Sequence, residues 1–332
     1  VNGFAESLLD RARHSRGRVV LSEGDDERVR DAARALAMGR VAEVTLLGTD
    51  ATAAWAMANA PGVSVRIPDS DARLPAVADL LATRKPEAAP DRRTALALAA
   101  DPLRFAAGLV ALGEAEATVG GAVHTTAHVL RAALWAVGPA PGITTVSSCF
   151  YMVTRAAGVL TFADCGVVQY PTPEQLAEIA AAAARDRRRV VGDEPVVAFL
   201  SHSTRGSAEG ESIERVRRAV DLFRALEPRI PADGELQGDA ALLPAIAARK
   251  APGSPAAGRA NILIFPDLDS GNIAYKLVQR IAQVLALGPI VQGLARPCSD
   301  LSRGATADDI VLVCAIALLQ SSAPGRTPSS ED

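Results

Sequence analysis

Apolar residues recur along this chain in two rhythms. Between residues 4 and 14, Phe4, Leu8, Leu9 and Ala12 share one helical face. Residues 18–21 form a short apolar run that reads as a strand. The polar stretch Ser22-Glu-Gly-Asp-Asp-Glu-Arg28 ends it, and a helical period follows to about Met38. Residues 41–47 are the next strand, stopped by Gly48. A strand, a helix and a strand at this spacing make a βαβ unit, hence a parallel sheet. Ligands on such sheets bind at the carboxyl ends of strands.

Residues 51–100 are less regular. Residues 63–67 alternate as a strand, 74–82 read as a helix, and 83–90 form a proline-broken loop. A helix over 104–112 leads to a strand that runs into Gly120 and Gly121, and then into a helix containing Arg131. Pro139-Ala-Pro-Gly142 is a break and a candidate domain boundary. Beyond it, strands are expected at 143–153, 160–168, 195–200, 234–237, 261–265 and 289–294. Helices are expected from Thr172 to about Arg185, at 212–226, at 239–250 and from about residue 272. An apolar helix covers 310–319, and residues 321–332 are polar and expected to fray.

Composition narrows the function. A chain of 332 residues suggests about two domains. With 49% hydrophobic and 22% charged residues it is ordinary globular material able to bury large cores. A net charge of −3 argues against nucleic acid as a partner. No apolar run reaches the roughly 18 residues that a membrane span needs, and the N-terminus lacks a signal-peptide pattern. Cys149, Cys165, Cys298 and Cys314 form no CxxC pair, which points to reduced, buried thiols in a cytoplasmic protein. His124 and His128 are four apart, but no third metal ligand is adjacent.

The candidate chemistry concentrates in one stretch. Ser302, Arg303, Gly304 and Asp309 fall within eight residues, after an apolar run and before an apolar helix. A guanidinium grips phosphate with a planar fork. A hydroxyl, a phosphate grip and a carboxylate in one loop suit group transfer from a phosphorylated compound. The same residues also fit plain structure, since Thr306 to Asp309 has the spacing of a capping box. Arg28 lies in the first turn after the first strand, as a ligand contact or a solvated charge. Thr125 and Thr126 follow the glycine turn, as anion contacts or helix caps. The hydroxyl-rich loop 201–207 carries the same ambiguity. Asn272 and Lys276 share a helix face, as binding groups or a solvated surface. Neither a GxGxxG fingerprint nor a Walker loop is present.

The blocks that carry a wider resemblance run through most of the chain. They are Glu23-Gly-Asp-Asp-Glu-Arg28, Gly121-Ala-Val-His-Thr-Thr126, Phe162-Ala-Asp-Cys165, residues 200–207, Gly234-Glu-Leu-Gln237, Lys250-Ala-Pro-Gly-Ser-Pro255, residues 264–276 and Asp300-Leu-Ser-Arg-Gly304. In this order they resemble the phosphotransacetylase family, the phosphate acetyl/butyryl transferases. The resemblance implies a two-domain, three-layer α/β fold with parallel and mixed sheets, like that of isocitrate/isopropylmalate dehydrogenases, with the active site in the interdomain cleft. Residues 1–142 plus 289–332 would form the first domain and 143–288 the second.

The implied reaction is reversible transfer of an acetyl group between acetyl phosphate and coenzyme A, by direct thiolate attack in a ternary complex. By resemblance, Asp309 would be the base for the thiol, and Ser302 and Arg303 would hold the oxyanion and the leaving phosphate. Arg28, Arg84 and Arg131 match family arginines for coenzyme A or phosphate, with Thr125 and Thr126 beside them. Asn272 and Lys276 would complete the substrate contacts. Coenzyme A would be a substrate, with no cofactor and no metal, and the partner would be a second copy of the chain. Butyryl or another short acyl group, or a non-catalytic acyl-CoA-binding role, are the alternatives. A dehydrogenase on the same fold would need clustered metal-binding aspartates, which the sequence lacks. The chain departs from the family pattern at Pro86 to Ala89, at Ala117-Thr118, and at Gly120, where the family has serine. It departs again at Ala132 and at Val168 to Tyr170.

Overall fold

The computed structural model describes residues 2–322, so residues 323–332, part of the expected frayed tail, lie outside the described residues. Eleven strands are described: β1 (Arg18–Leu21), β2 (Glu43–Leu47), β3 (Val63–Arg66), β4 (Ala117–Gly120), β5 (Ser147–Val153), β6 (Val159–Ala163), β7 (Val197–Leu200), β8 (Ala232–Leu236), β9 (Ile262–Ile264), β10 (Leu285–Gln292) and β11 (Cys298–Asp300). The helices before the second sheet are α1 (Asn2–Ser15), α2 (Glu27–Met38), α3 (Asp50–Asn59), α4 (Leu74–Arg84), α5 (Arg92–Ala99), α6 (Pro102–Ala111) and α7 (Thr126–Ala136). Those that follow are α8 (Pro173–Val190), α9 (Glu211–Leu226), α10 (Gly238–Leu242), α11 (Pro244–Lys250), α12 (Leu268–Ile281) and α13 (Ala307–Ser321).

The first sheet has the order β11-β4-β1-β2-β3, and every pairing in it is parallel. Alternation within β1 serves both of its faces. Val19 and Leu21 join a core with α1, α2 and α13, while Val20 joins one with α4, α5, α6 and α7. The second sheet is mixed, with the order β10-β5-β6-β9-β7-β8. Here β5 is antiparallel to both β10 and β6. Helices α8 and α9 cover one face and α10, α11 and α12 the other. Each sheet is therefore the middle of three layers.

Helix α13 connects the two halves. Ile310 and the run Leu312 to Leu319 are buried, so the helix is apolar all round. It packs on α1, α2 and β4 on one side and on α8 and β10 on the other. Its polar first turn, Thr306 to Asp309, thus starts where both halves meet. The chain leaves the first sheet after α7 and returns after β10. These crossings touch at an isolated Pro139–Leu294 bridge, with Ala140 N donating to Gly293 O at 2.9 Å.

Several expectations shift. The expected return at residue 289 falls inside β10, because pairing with β5 continues to Gln292. Pro289 is tolerated there because the ladder slips between Leu287 and Ile290. The helix expected over 239–250 breaks at Pro244, whose ring cannot continue a helix. Helices α3 and α5 replace expected irregular chain. The four cysteines are buried and unpaired, and burial pushes the Cys298 thiol up to about 12. No single helix among the described residues is long and apolar enough to cross a membrane.

Candidate active site

The loop between β11 and α13 carries Ser302, Arg303 and Gly304 at the carboxyl end of the first sheet, all exposed. Leu301 and Ala305 anchor it in the core on either side. Ser302 Oγ accepts from Gly304 N at 3.3 Å, which leaves its O–H free to donate outward. The Arg303 guanidinium meets no acceptor among the described residues. The capping box forms as its spacing suggests. Asp309 Oδ2 accepts from Thr306 N and from Thr306 Oγ1, each at 2.9 Å. Asp309 N in turn donates to Thr306 Oγ1 at 3.2 Å. The cap spends one carboxylate oxygen and leaves Oδ1 without a protein donor among the described residues.

Arg28 reaches this loop, but not as a free phosphate grip. Its Nη1 donates to Arg303 O at 2.8 Å and to Ala305 O at 3.0 Å. Nη2 donates to Ala122 O at 2.9 Å and to Asp26 Oδ2 at 2.8 Å, and Nε to Asp26 Oδ1 at 3.0 Å. These contacts occupy all five donors of a guanidinium. The expected ligand contact at Arg28 is thus a strut that ties the 302–305 loop to the glycine turn.

The glycine turn is likewise occupied from within. Glu23, buried at the end of β1, accepts from Ala122 N at 2.7 Å, Val123 N at 3.0 Å and His124 N at 2.8 Å. His124 Nδ1 lies 2.7 Å from the same carboxylate. Three consecutive N–H groups that would suit an external anion therefore hold an internal one. His124 precedes α7, with its ring 6.3 Å from that of His128 and tilted by 60°, so the two imidazoles do not present one ligand pair. Thr126 Oγ1 donates to Asp300 Oδ2 at 2.6 Å, while Thr125 is the exposed N-cap of α7. At Gly120 a Cβ would lie 2.4 Å from Ser22 Oγ. A side chain there would therefore have to turn the Ser22 hydroxyl aside.

Arg84 and Arg131 lie away from the loop along α7. Arg84 Nη1 donates to Val137 O at 2.9 Å, beyond the far end of that helix. Eleven residues separate this anchor from Thr126, roughly 16 Å at 1.5 Å per residue. Arg131 is exposed midway along, with no acceptor among the described residues.

The second sheet follows the same internal logic. Asp164 accepts from Ser148, Gly166, Val167 and Val168. In the 201–207 loop, Gly206 N donates to Glu235 at 2.8 Å and Arg205 pairs with Asp233 at 2.6 Å. Burial alone would raise the Glu235 carboxyl, but Arg217 and the Gly206 N–H bring it down to about 2. Of the two readings of that loop, an anion contact or a plain turn, these internal carboxylate partners fit the turn. Asn272 Nδ2 donates to Cys165 O at 3.0 Å, while Lys276 is exposed with its amine 5.8 Å from the Tyr275 ring. Glu23 and Asp300 are the residues that sequence reasoning passed over. Glu23 is one of four acids in a six-residue stretch and Asp300 one acid at a strand end, so nothing in the sequence singled either out.

A layered α/β body with an open Ser-Arg loop at a strand end fits an enzyme of the group-transfer class. Comparison makes the class particular: the chain belongs to the phosphate acetyl/butaryl transferase family, whose model matches residues 3–318. A phosphate acetyltransferase of Paracoccus denitrificans is 46% identical over 91% of this chain and 94% of its own length. A phosphotransacetylase from Streptococcus pyogenes superposes with a TM-score of 0.89 at 36% identity, over 95% of this chain and 98% of that one. A 4-hydroxythreonine-4-phosphate dehydrogenase from Klebsiella pneumoniae shares the fold alone, at 14% identity and a TM-score of 0.52, over 92% of this chain and 100% of its own.

Proposed function

We propose that this chain is a phosphate acetyltransferase, moving an acetyl group reversibly between acetyl phosphate and coenzyme A. The observation that carries the reading is the clamped 302–305 loop, which offers an outward hydroxyl and guanidinium, with Asp309 Oδ1 open at the start of α13. Asp309 takes the thiol proton, and the sulfur bonds to the acyl carbon. The bond from that carbon to the phosphate oxygen breaks, and phosphate leaves. Ser302 and Arg303 donate to the oxygens on which charge develops, worth ~3 kcal/mol for each donor. Coenzyme A enters as a substrate, and thiolate attack on an activated acyl group calls for no cofactor. A ligand that meets both the loop and Arg84 must be extended, as coenzyme A is. Arg131 and Arg84 then form a basic track for its nucleotide phosphates, with Thr125 at the near end. Lys276, exposed on α12, is assigned as a further substrate contact.

We divide the chain into a discontinuous first domain and a second domain hinged at the Pro139–Leu294 crossing, with the cleft between them. The working unit is a homodimer. On α12, Ile273, Leu277 and Ile281 are 57%, 52% and 79% exposed at helical spacing, an apolar stripe that a second copy would cover. Sedimentation should give twice 34.4 kDa, and Leu277→Asp should shift the population to monomer. A wild-type monomer at micromolar concentration would end the dimer reading.

The function itself is tested by mixing the protein with coenzyme A and acetyl, propionyl or butyryl phosphate and following thioester absorbance. Acetyl phosphate is expected to give the highest kcat/KM. Preference for butyryl phosphate would reassign the acyl group. No thioester from any of the three would remove the enzyme reading.

A further inference from the structure

Asp300 ends β11, two residues before Ser302, and its carboxyl is wholly buried. Oδ2 takes the Thr126 hydroxyl, whereas Oδ1 is buried with no partner. A Cβ on Gly121 would lie 2.3 Å from that Oδ1, so the glycine turn is pressed directly against it. Other buried carboxylates of the chain differ sharply, because Glu23 and, in the second sheet, Asp164 are saturated by donors on both oxygens. An ionised carboxylate buried with an empty oxygen is far costlier than the neutral acid, whose O–H lacks an acceptor there but carries no charge.

Burial and the charge of Glu23 favour the neutral form, whereas the Thr126 hydroxyl and the Leu301 N–H favour the ionised one. Glu23 faces it from the β1–α2 loop with a negative charge. From α7 comes the uncharged Thr126 hydroxyl, and from the turn the Gly121 backbone. His124 is paired with Glu23, and Arg28 donates to Ala122 O on the other side of the turn. No cation among the described residues contacts the Asp300 carboxyl.

Given the acyl-transfer reading of the loop, we propose that Asp300 is its positioning residue, latching β11 and the Ser302–Arg303 loop to α7 through Thr126, and that it does so as the neutral acid. Burial pushes this carboxyl up to about 7, against the Thr126 hydroxyl and the Leu301 N–H, with Glu23 adding a smaller push upward. Ionisation sets a second negative charge beside Glu23 and an unpartnered anion against Gly121. The strain is relieved by parting the strand end from the turn, which displaces Ser302 and Arg303. The latch therefore loosens as pH rises through neutrality.

The test measures kcat/KM for thioester formation from pH 6 to 9, with thermal melts at each pH, for the wild type, Asp300→Asn and Thr126→Val. Asparagine keeps the shape of the neutral acid and cannot ionise. Its ratio of kcat/KM at pH 8.5 to that at pH 6.5 is expected to exceed the wild-type ratio by about fivefold or more. Thr126→Val is expected to lower kcat about tenfold with KM for coenzyme A little changed. Superimposable pH profiles for wild type and Asp300→Asn overturn the neutral-acid role. If the asparagine variant does not fold, Thr126→Val decides, and unchanged kcat overturns the latch. A wild type that makes no thioester overturns the proposed function instead. The melts then still judge Asp300, because equal pH dependence of melting in wild type and Asp300→Asn refutes the neutral acid.

Discussion

Asp309→Asn is expected to lower turnover of acetyl phosphate and coenzyme A by about 10²–10⁴-fold, the usual contribution of a positioned proton acceptor. KM for coenzyme A should stay within about threefold, because the carboxylate acts on the proton in flight rather than on the bound nucleotide. The free thiol titrates at about 8.5, so little thiolate exists near neutrality without a base at hydrogen-bond distance. The capping box makes the substitution informative. Thr306 holds Oδ2 by two donors, which fixes Oδ1 in direction without consuming it. With its carbonyl oxygen in the place of Oδ2, asparagine can still accept both bonds, so the helix should lose no more than ~1 kcal/mol. Steady-state kinetics beside a denaturation curve separate the two effects. A folded Asp309→Asn enzyme with wild-type kcat would sink the base assignment and leave the family reading untouched.

Glu23→Gln should be the most damaging conservative change to the fold. The carboxylate is almost fully buried and accepts from Ala122, Val123 and His124 amides and from the His124 ring. An amide offers one oxygen in place of two and turns an N–H toward the Ala122 amide. One buried donor loses its partner and a charged acceptor is lost, for roughly 2–4 kcal/mol. Activity should fall as well. The freed turn carries Ala122 O, and Arg28 binds that oxygen with the same guanidinium that holds Arg303 O and Ala305 O. Chemical denaturation reads the first effect and kcat at saturating substrate the second. A variant as stable as wild type would show that the turn does not depend on Glu23.

The parallel first sheet was legible because β1, α2 and β2 each keep their own period, and their spacing admits one connection. Helices α3 and α5 escaped notice for the opposite reason. In α3 alanines sit on every side and Met57 is 87% exposed, so no apolar stripe marks the helix. Strand β11 is only three residues long and polar at its end, too short for any periodic signal. The break between α10 and α11 was visible as Pro244, within a stretch whose apolar period continues across it.

The site divides along the same line. Ser302, Arg303 and Asp309 lie within eight residues, and Thr306 caps Asp309 by a contact three positions away, so local sequence determines their grouping and the start of α13. The family blocks determine the fold class, because so many in order leave little freedom in connectivity. What holds the loop was decided only by tertiary structure. Arg28 meets Arg303 across 275 positions, Thr126 meets Asp300 across 174, and Glu23 meets the glycine turn across about 100. A charge's role depends on whether its donors or acceptors are already spent, and at these separations only the folded chain settles that. Thus Arg28 became a strut and Glu23 the anion of its own turn. Asp300, unremarkable in the sequence, became the buried acid beneath the loop because folding sets it beside Glu23 and Gly121 with one oxygen unpartnered.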